Sequence, residues 1–236
     1  MAPVRVPADY PRIRVVHTFA ELVAVPFVGH CNAVCWQREL PGDFDEVLAH
    51  LAADAGIHTL DEARLAELPV SPQGRLAIDF MVEDLRLLRA HGLAPNLDCI
   101  AGYARDDAAA IVPVDVYSFH IDRATVATDT YLCSYRGPAS EGLRNDEAQR
   151  RVDDPETRAA LLAQFGGQDG EEFREFLRES CCELHYAPLP HAQPFSFGVG
   201  NLWRIAVDHP GSRVPACIHR APATLPGDAP RLLLIS

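Results

Sequence analysis

The feature that most constrains this chain is a change of texture near residue 97. From there to the C-terminus, short apolar runs alternate with Pro and Gly: IVPVDVYSFHID (111–122), TYLCSY (130–135), ELHYAPL (183–189), FSFGV (195–199), LWRIAVD (202–208), VPACIH (214–219) and RLLLIS (231–236). Runs this short, rich in β-branched and aromatic residues and separated by turn formers, are the mark of a sandwich or jelly roll. A parallel sheet would need a long crossover between successive strands. A polar helical insertion, about 144–182, interrupts the series. Asp154-Pro155 starts one helix, with Leu161, Leu162 and Phe165 as its apolar stripe, and 170–180 forms a second with Phe173, Phe176 and Leu177. Before 97 the periodicity is helical after a short extended start. An Asp-led helix is expected over 43–54 with Phe44, Val47, Leu48 and Leu51 on one face, and a stronger one over 73–91 stopped by Gly92. The expectation is a single α+β domain over 1–236. Residues 1–96 form a mainly helical support layer, and 97–236 form a β-core carrying the helical insertion.

Composition then removes function classes. All 21 basic residues are arginine and the net charge is −12. Without lysine there is no Schiff-base chemistry, no P-loop and no kinase-type ATP lysine. An acidic chain without a basic cluster does not suit nucleic acid. No apolar stretch is long enough to span a bilayer, and the N-terminus lacks an apolar signal core, so a cytoplasmic location is expected. The seven cysteines form no C-x-x-C pair and suit small buried hydrophobes better than a disulfide framework.

Candidate chemistry concentrates in FHID. Two residues apart in an extended segment, His120 and Asp122 project to the same face and offer an imidazole and a carboxylate side by side. A third ligand from elsewhere would complete a facial triad with open positions, the geometry of non-heme iron oxygenases. His219, ending the run VPACIH, is the candidate. The bland alternative for His120 is a hydrogen-bonded histidine at a strand end. Glu183 with His185 is the rival same-face pair, while His191 and His209 lie in Pro-rich turns. No serine sits in a G-x-S-x-G elbow, and GVGNL lacks the dinucleotide fingerprint.

Taken together, FHID, CIHRAP and PRLLLIS resemble the 2-oxoglutarate- and iron(II)-dependent dioxygenase superfamily over roughly residues 110–236. NAVCWQREL and YRGPASEGL resemble an uncharacterised bacterial family of that type. The resemblance implies a double-stranded β-helix (jelly roll) with a helical N-terminal layer. It implies iron(II) on His120, Asp122 and His219, with 2-oxoglutarate and O2 as cosubstrates. It also implies Arg231 as the partner of the far carboxylate of 2-oxoglutarate. The superfamily often places Ser or Thr two residues after that Arg; this chain has Leu233, so Tyr131, or else Tyr135, is the expected replacement hydroxyl. Arg123, Trp203 and Arg204 are the candidates for substrate contact. The expected substrate is a free small molecule, an amino acid or a metabolite derived from one, which undergoes hydroxylation, desaturation or ring closure. The competing classes are a metal enzyme independent of 2-oxoglutarate and a non-catalytic binding or regulatory protein on the same fold. Oligomeric state is not legible.

Overall fold

The computed structural model describes residues 7, 9–51, 54–106, 109–224 and 228–236. Residues 52–53 of the expected 43–54 helix lie outside the described residues, as do 1–6 and 8 of the stretch read for a secretion signal. The chain runs through β1 (Ile13–Val16), α1 (Phe19–Ala24), β2 (Ala33–Trp36), α2 (Phe44–His50), β3 (Gly56–Thr59), α3 (Glu62–Ala66), α4 (Pro72–Ala90) and β4 (Asn96–Ala101). Then follow β5 (Phe119–His120), β6 (Asp129–Arg136), β7 (Glu141–Leu143), β8 (Ala148–Arg150), α5 (Pro155–Phe165) and α6 (Glu171–Glu179). The last strands are β9 (His185–Pro188), β10 (Phe195–Ser196), β11 (Leu202–Ala206), β12 (Ile218–Arg220) and β13 (Arg231–Ile235).

Among the described residues the strands make a seven-stranded sheet, β1-β2-β11-β6-β13-β4-β3, and a six-stranded sheet, β10-β7-β12-β5-β9-β8. Every strand pairing is antiparallel except β1 on β2. The class is α+β, and the two sheets are consistent with a β-sandwich. No helix of the described residues is long and apolar enough to cross a membrane.

The helices form where the sequence places their caps. Asp43 accepts the Glu46 amide at 2.9 Å to open α2, and Asp154 accepts the Thr157 amide at 2.8 Å to open α5, with Pro155 in the first turn. The chain before residue 97 is not helical alone. The four-residue runs of β1, β2 and β3 join the large sheet from both of its edges. The run 111–118 differs from the expected strand. Pro113 cannot donate to a ladder, and the Asp115 carboxylate gathers the amides of Asp106, Tyr117 and Ser118 into turns, so only Phe119–His120 pairs.

Strand alternation sorts the two faces of the large sheet. Tyr131, Cys133 and Tyr135 of β6, with Leu232 and Leu234 of β13, pack against Val47, Ile78, Met81, Leu85 and Leu88 of the helical layer. Leu132 of β6 points the other way, into a seam with Trp203, Ile205, Phe195 and Cys217 drawn from both sheets. On the helical side lies a buried charge pair. Arg38 grips Asp84 through two bonds of 2.6 Å, and the Tyr135 hydroxyl donates to the same carboxylate at 2.6 Å. The Arg38 guanidinium also lies over the rings of Trp36 and Phe80.

Candidate metal centre

Three adjacent strands of the six-stranded sheet hold a row of histidines. In register, His219 of β12 stands opposite His120 of β5, and His120 stands opposite His185 of β9. Directly opposed residues share a face, so the rings meet: 4.6 Å between the centroids of His120 and His219, and 5.5 Å between His120 and His185. Asp122, two residues past His120, brings its carboxylate to the same place. Donor atoms of His120, Asp122 and His219 all lie within 4.8 Å of one another, and His219 Nε2 is 3.8 Å from Asp122 Oδ2. This buried group could hold a metal ion.

The surrounding bonds orient these donors for that task. His120 Nδ1 is 2.8 Å from the Ser118 carbonyl and His219 Nδ1 is 3.3 Å from the Cys217 carbonyl. A carbonyl only accepts, so each Nδ1 carries the proton and each Nε2 keeps its lone pair for a cation. The Thr130 hydroxyl donates to Asp122 Oδ2 at 2.5 Å. Burial, reinforced by the charge of His219, brings His120 down to about 4. Burial alone would raise Asp122, but His219, Thr130 and His120 outweigh it and hold the carboxyl below its usual range. A neutral His120 beside an ionised Asp122 is the protonation state a divalent ion requires of these two donors.

His185, brought down to about 4 by burial and then by the charges of His120 and Arg151, gives the metal-free protein a pH signature. In the unfolded chain both His120 and His185 titrate near 6.5. Between about 6.5 and 4 the unfolded state therefore holds more protons, and stability is full above that window and falls as pH drops through it. The expected loss is about 3–5 kcal/mol for the pair, allowing for partial solvation. Urea midpoints of metal-free protein from pH 7.5 to 4.5 measure it; a flat profile in that range would show that these rings are not held neutral.

Arg231 opens β13 on the seam side. It is 1% exposed, yet no carboxylate among the described residues pairs with it. Among the described residues its donors reach only hydroxyls, Ser134 at 3.2 Å, Ser140 at 3.3 Å and Tyr103 at 3.4 Å, and its Nε has no partner. Burial pushes its guanidinium below the usual arginine range. Ser140 precedes by two residues Gly142, which is in register with His219. That spacing is about 7 Å along the strand. A side chain on Gly142 would strike the Phe195 ring at 2.3 Å, so the glycine is what lets Phe195 and Phe197 pack beside this strand.

The other expected residues fall in different places. Tyr131 packs on the helical face of β6, opposite to Ser134, so it is not the hydroxyl beside Arg231; Tyr135 is tied to Asp84. Ser134 is, and it stands directly across from Leu233, so the missing hydroxyl comes from the neighbouring strand. Arg123 lines a depression with Asp122 and Thr130, its donors held by Glu183 and by Asp208. Glu183, bound to Arg123, does not pair with His185 as a ligand couple. Trp203 is 1% exposed in the seam, stacked on Phe197 and donating to its carbonyl at 2.7 Å. Arg204 points to the other face, where Asp129 and the carbonyls of Leu22, Val23 and Val25 occupy it.

No protein-family model matches the chain, and no curated protein matches it. Sequence reasoning missed Thr130, Ser134, Ser140 and the placement of His185. All four take their meaning from cross-strand neighbours, and only the alternation within TYLCSY hinted that Ser134 and Tyr131 face opposite ways.

Proposed function

We propose that this protein is an iron(II)- and 2-oxoglutarate-dependent oxygenase acting on a small molecule, with its paired sheets forming a double-stranded β-helix. The observation that carries this reading is Arg231: a buried cation with an unused donor and no carboxylate partner among the described residues, held in the seam between the sheets. A buried guanidinium without a counter-charge is costly, and a dicarboxylate supplies the missing anion. Two nitrogens and one oxygen on His120, Asp122 and His219 suit iron(II) and leave coordination positions free.

Iron(II), when bound, supplies the oxygen-activating redox chemistry, with 2-oxoglutarate oxidised to succinate and carbon dioxide. The chain's own residues hold and orient. His120 and His219 present fixed Nε2 lone pairs because backbone carbonyls occupy their Nδ1 protons. Thr130 fixes the Asp122 carboxylate. Arg231, flanked by Ser134 and Ser140, binds the far carboxylate of the cosubstrate, and the aromatic seam of Phe195, Phe197 and Trp203 limits water on that side. The substrate is a free small molecule, an amino acid or amino-acid-derived metabolite, and the outcome is hydroxylation, desaturation or ring closure.

The test is anaerobic titration of metal-free protein with iron(II) and then 2-oxoglutarate. A weak visible charge-transfer band that requires both components is expected. Arg231→Met should keep iron but weaken 2-oxoglutarate by at least about 1.5–3 kcal/mol, the scale of a charge-assisted bond. Iron without the band, or unchanged affinity in Arg231→Met, would move the function to a metal enzyme independent of 2-oxoglutarate. No iron at all would leave a binding protein.

A further inference from the structure

The row of histidines does not end at β9. β8 pairs with β9 so that Arg150 stands opposite Tyr186, and Arg151 follows directly, beside His185. Arg151 opens the short 3-10 turn that follows β8, and its charge acts on His185, which stands opposite His120 in the next strand. His185 neighbours both, its ring centroid 5.5 Å from that of His120 and its imidazole within the field of Arg151.

Arg151 differs from the arginines around it. Arg150 is paired with Asp153, Arg158 with Asp169, Arg123 with Glu183 and Asp208, and Arg144 with Asp9. No carboxylate or carbonyl among the described residues takes a bond from the Arg151 guanidinium, and its buried Nε is without a partner. His185 next to it is 4% exposed, and its Nδ1 is also buried and unpartnered. The nearby acids that act on His185, Asp115 and Asp106, are already occupied. Asp115 accepts three loop amides and Asp106 accepts the Val114 amide. Two adjacent polar side chains with unused donors, one of them cationic, therefore flank the metal group on the side away from β12.

We propose that Arg151, with His185 beside it, anchors a carboxylate of the small-molecule substrate. This rests on the reading of His120, Asp122 and His219 as the reaction centre. One guanidinium balances one negative charge and its fork matches a carboxylate, so a monoanionic group fits better than a phosphate dianion. The buried, unpartnered Nδ1 of His185 adds a second hydrogen-bonding atom beside it. The two arginines with a buried, unpartnered Nε then divide the work: Arg231 takes the cosubstrate and Arg151 takes the substrate.

The test uses the full metal-free chain and the Nε–H resonances of its arginines, with Arg151 and Arg231 assigned from Arg151→Gln and Arg231→Gln. The probes are 2-oxoglutarate, the free L-amino acids, their carboxamides and inorganic phosphate. At least one amino-acid carboxylate should move the Arg151 resonance at a concentration tenfold or more below its carboxamide, leaving Arg231 unmoved. In Arg151→Gln the accompanying shift of the His185 ring protons should need at least tenfold more ligand, and Arg151→Lys should restore part of it. The proposal is overturned if no carboxylate moves Arg151, if carboxamides do so equally well, or if phosphate is preferred. Failure of 2-oxoglutarate to move Arg231 counts against the cosubstrate reading alone and leaves the Arg151 result to stand by itself.

Discussion

Asp122→Ala is expected to abolish stoichiometric iron(II) binding while leaving the fold intact. The carboxylate is the only anionic donor of the group, and without it the two imidazoles offer an ion neither a counter-charge nor a third ligand. The fold should survive because the Asp122 side chain makes one structural hydrogen bond, from Thr130, while its backbone carbonyl still accepts the Asp208 amide. Removing an outer partner of a metal ligand typically lowers affinity by about 10–100-fold, so Thr130→Val should show that graded loss and Asp122→Ala a larger one. Equilibrium dialysis of iron(II) under argon, with circular dichroism as the check on folding, separates the two. Stoichiometric iron in a folded Asp122→Ala protein would remove Asp122 from the centre.

The largest effect on stability is expected away from the site, at Asp84. It is 2% exposed and neutralises Arg38, whose side chain is 9% exposed between β2, α4 and β6. Asp84→Ala leaves that guanidinium and the Tyr135 hydroxyl without their acceptor in the core. Breaking one side of a buried pair costs about 3–5 kcal/mol, more than the surface ion pairs of α5 and α6 would contribute together. Replacing both partners with apolar residues of similar volume, Arg38→Met with Asp84→Leu, should recover most of the loss. Chemical denaturation of the two variants beside the parent protein reads this directly. If the double variant is as unstable as Asp84→Ala, the cost lies in packing and not in the uncompensated charge.

How much of this was legible in the sequence depends on the range of each interaction. The caps at Asp43 and Asp154, the stripe of α4 and the His-x-Asp spacing are local, set by residues within a turn or two, and appear where periodicity places them. The pairing of His120 with His219 was reachable because both end apolar runs in a chain of short strands. The run 111–118 was misjudged because β-branched residues outweighed Pro113 and the turn chemistry of Asp115. The three strands before residue 97 are four residues each, too short for alternation to stand out between helices. The hydroxyl beside Arg231 was sought along its own strand, at Leu233, and at tyrosines of β6, whereas register supplies it from Ser134. Such relations exist only once strands have neighbours.

Arg231 has one more consequence, for the lifetime of the protein in a cell. An unpaired buried cation weakens the folded state in which it sits, and any dicarboxylate that binds only that state returns the loss by mass action. At a hundredfold excess over its dissociation constant such a ligand adds about 2.7 kcal/mol, or roughly a hundredfold fewer unfolded molecules. Degradation that acts through unfolding would then clear empty molecules faster than loaded ones. With a dicarboxylate cosubstrate at Arg231, as proposed, the abundance of the protein would follow the supply of that ligand with no separate sensor, because one guanidinium would set both affinity and durability.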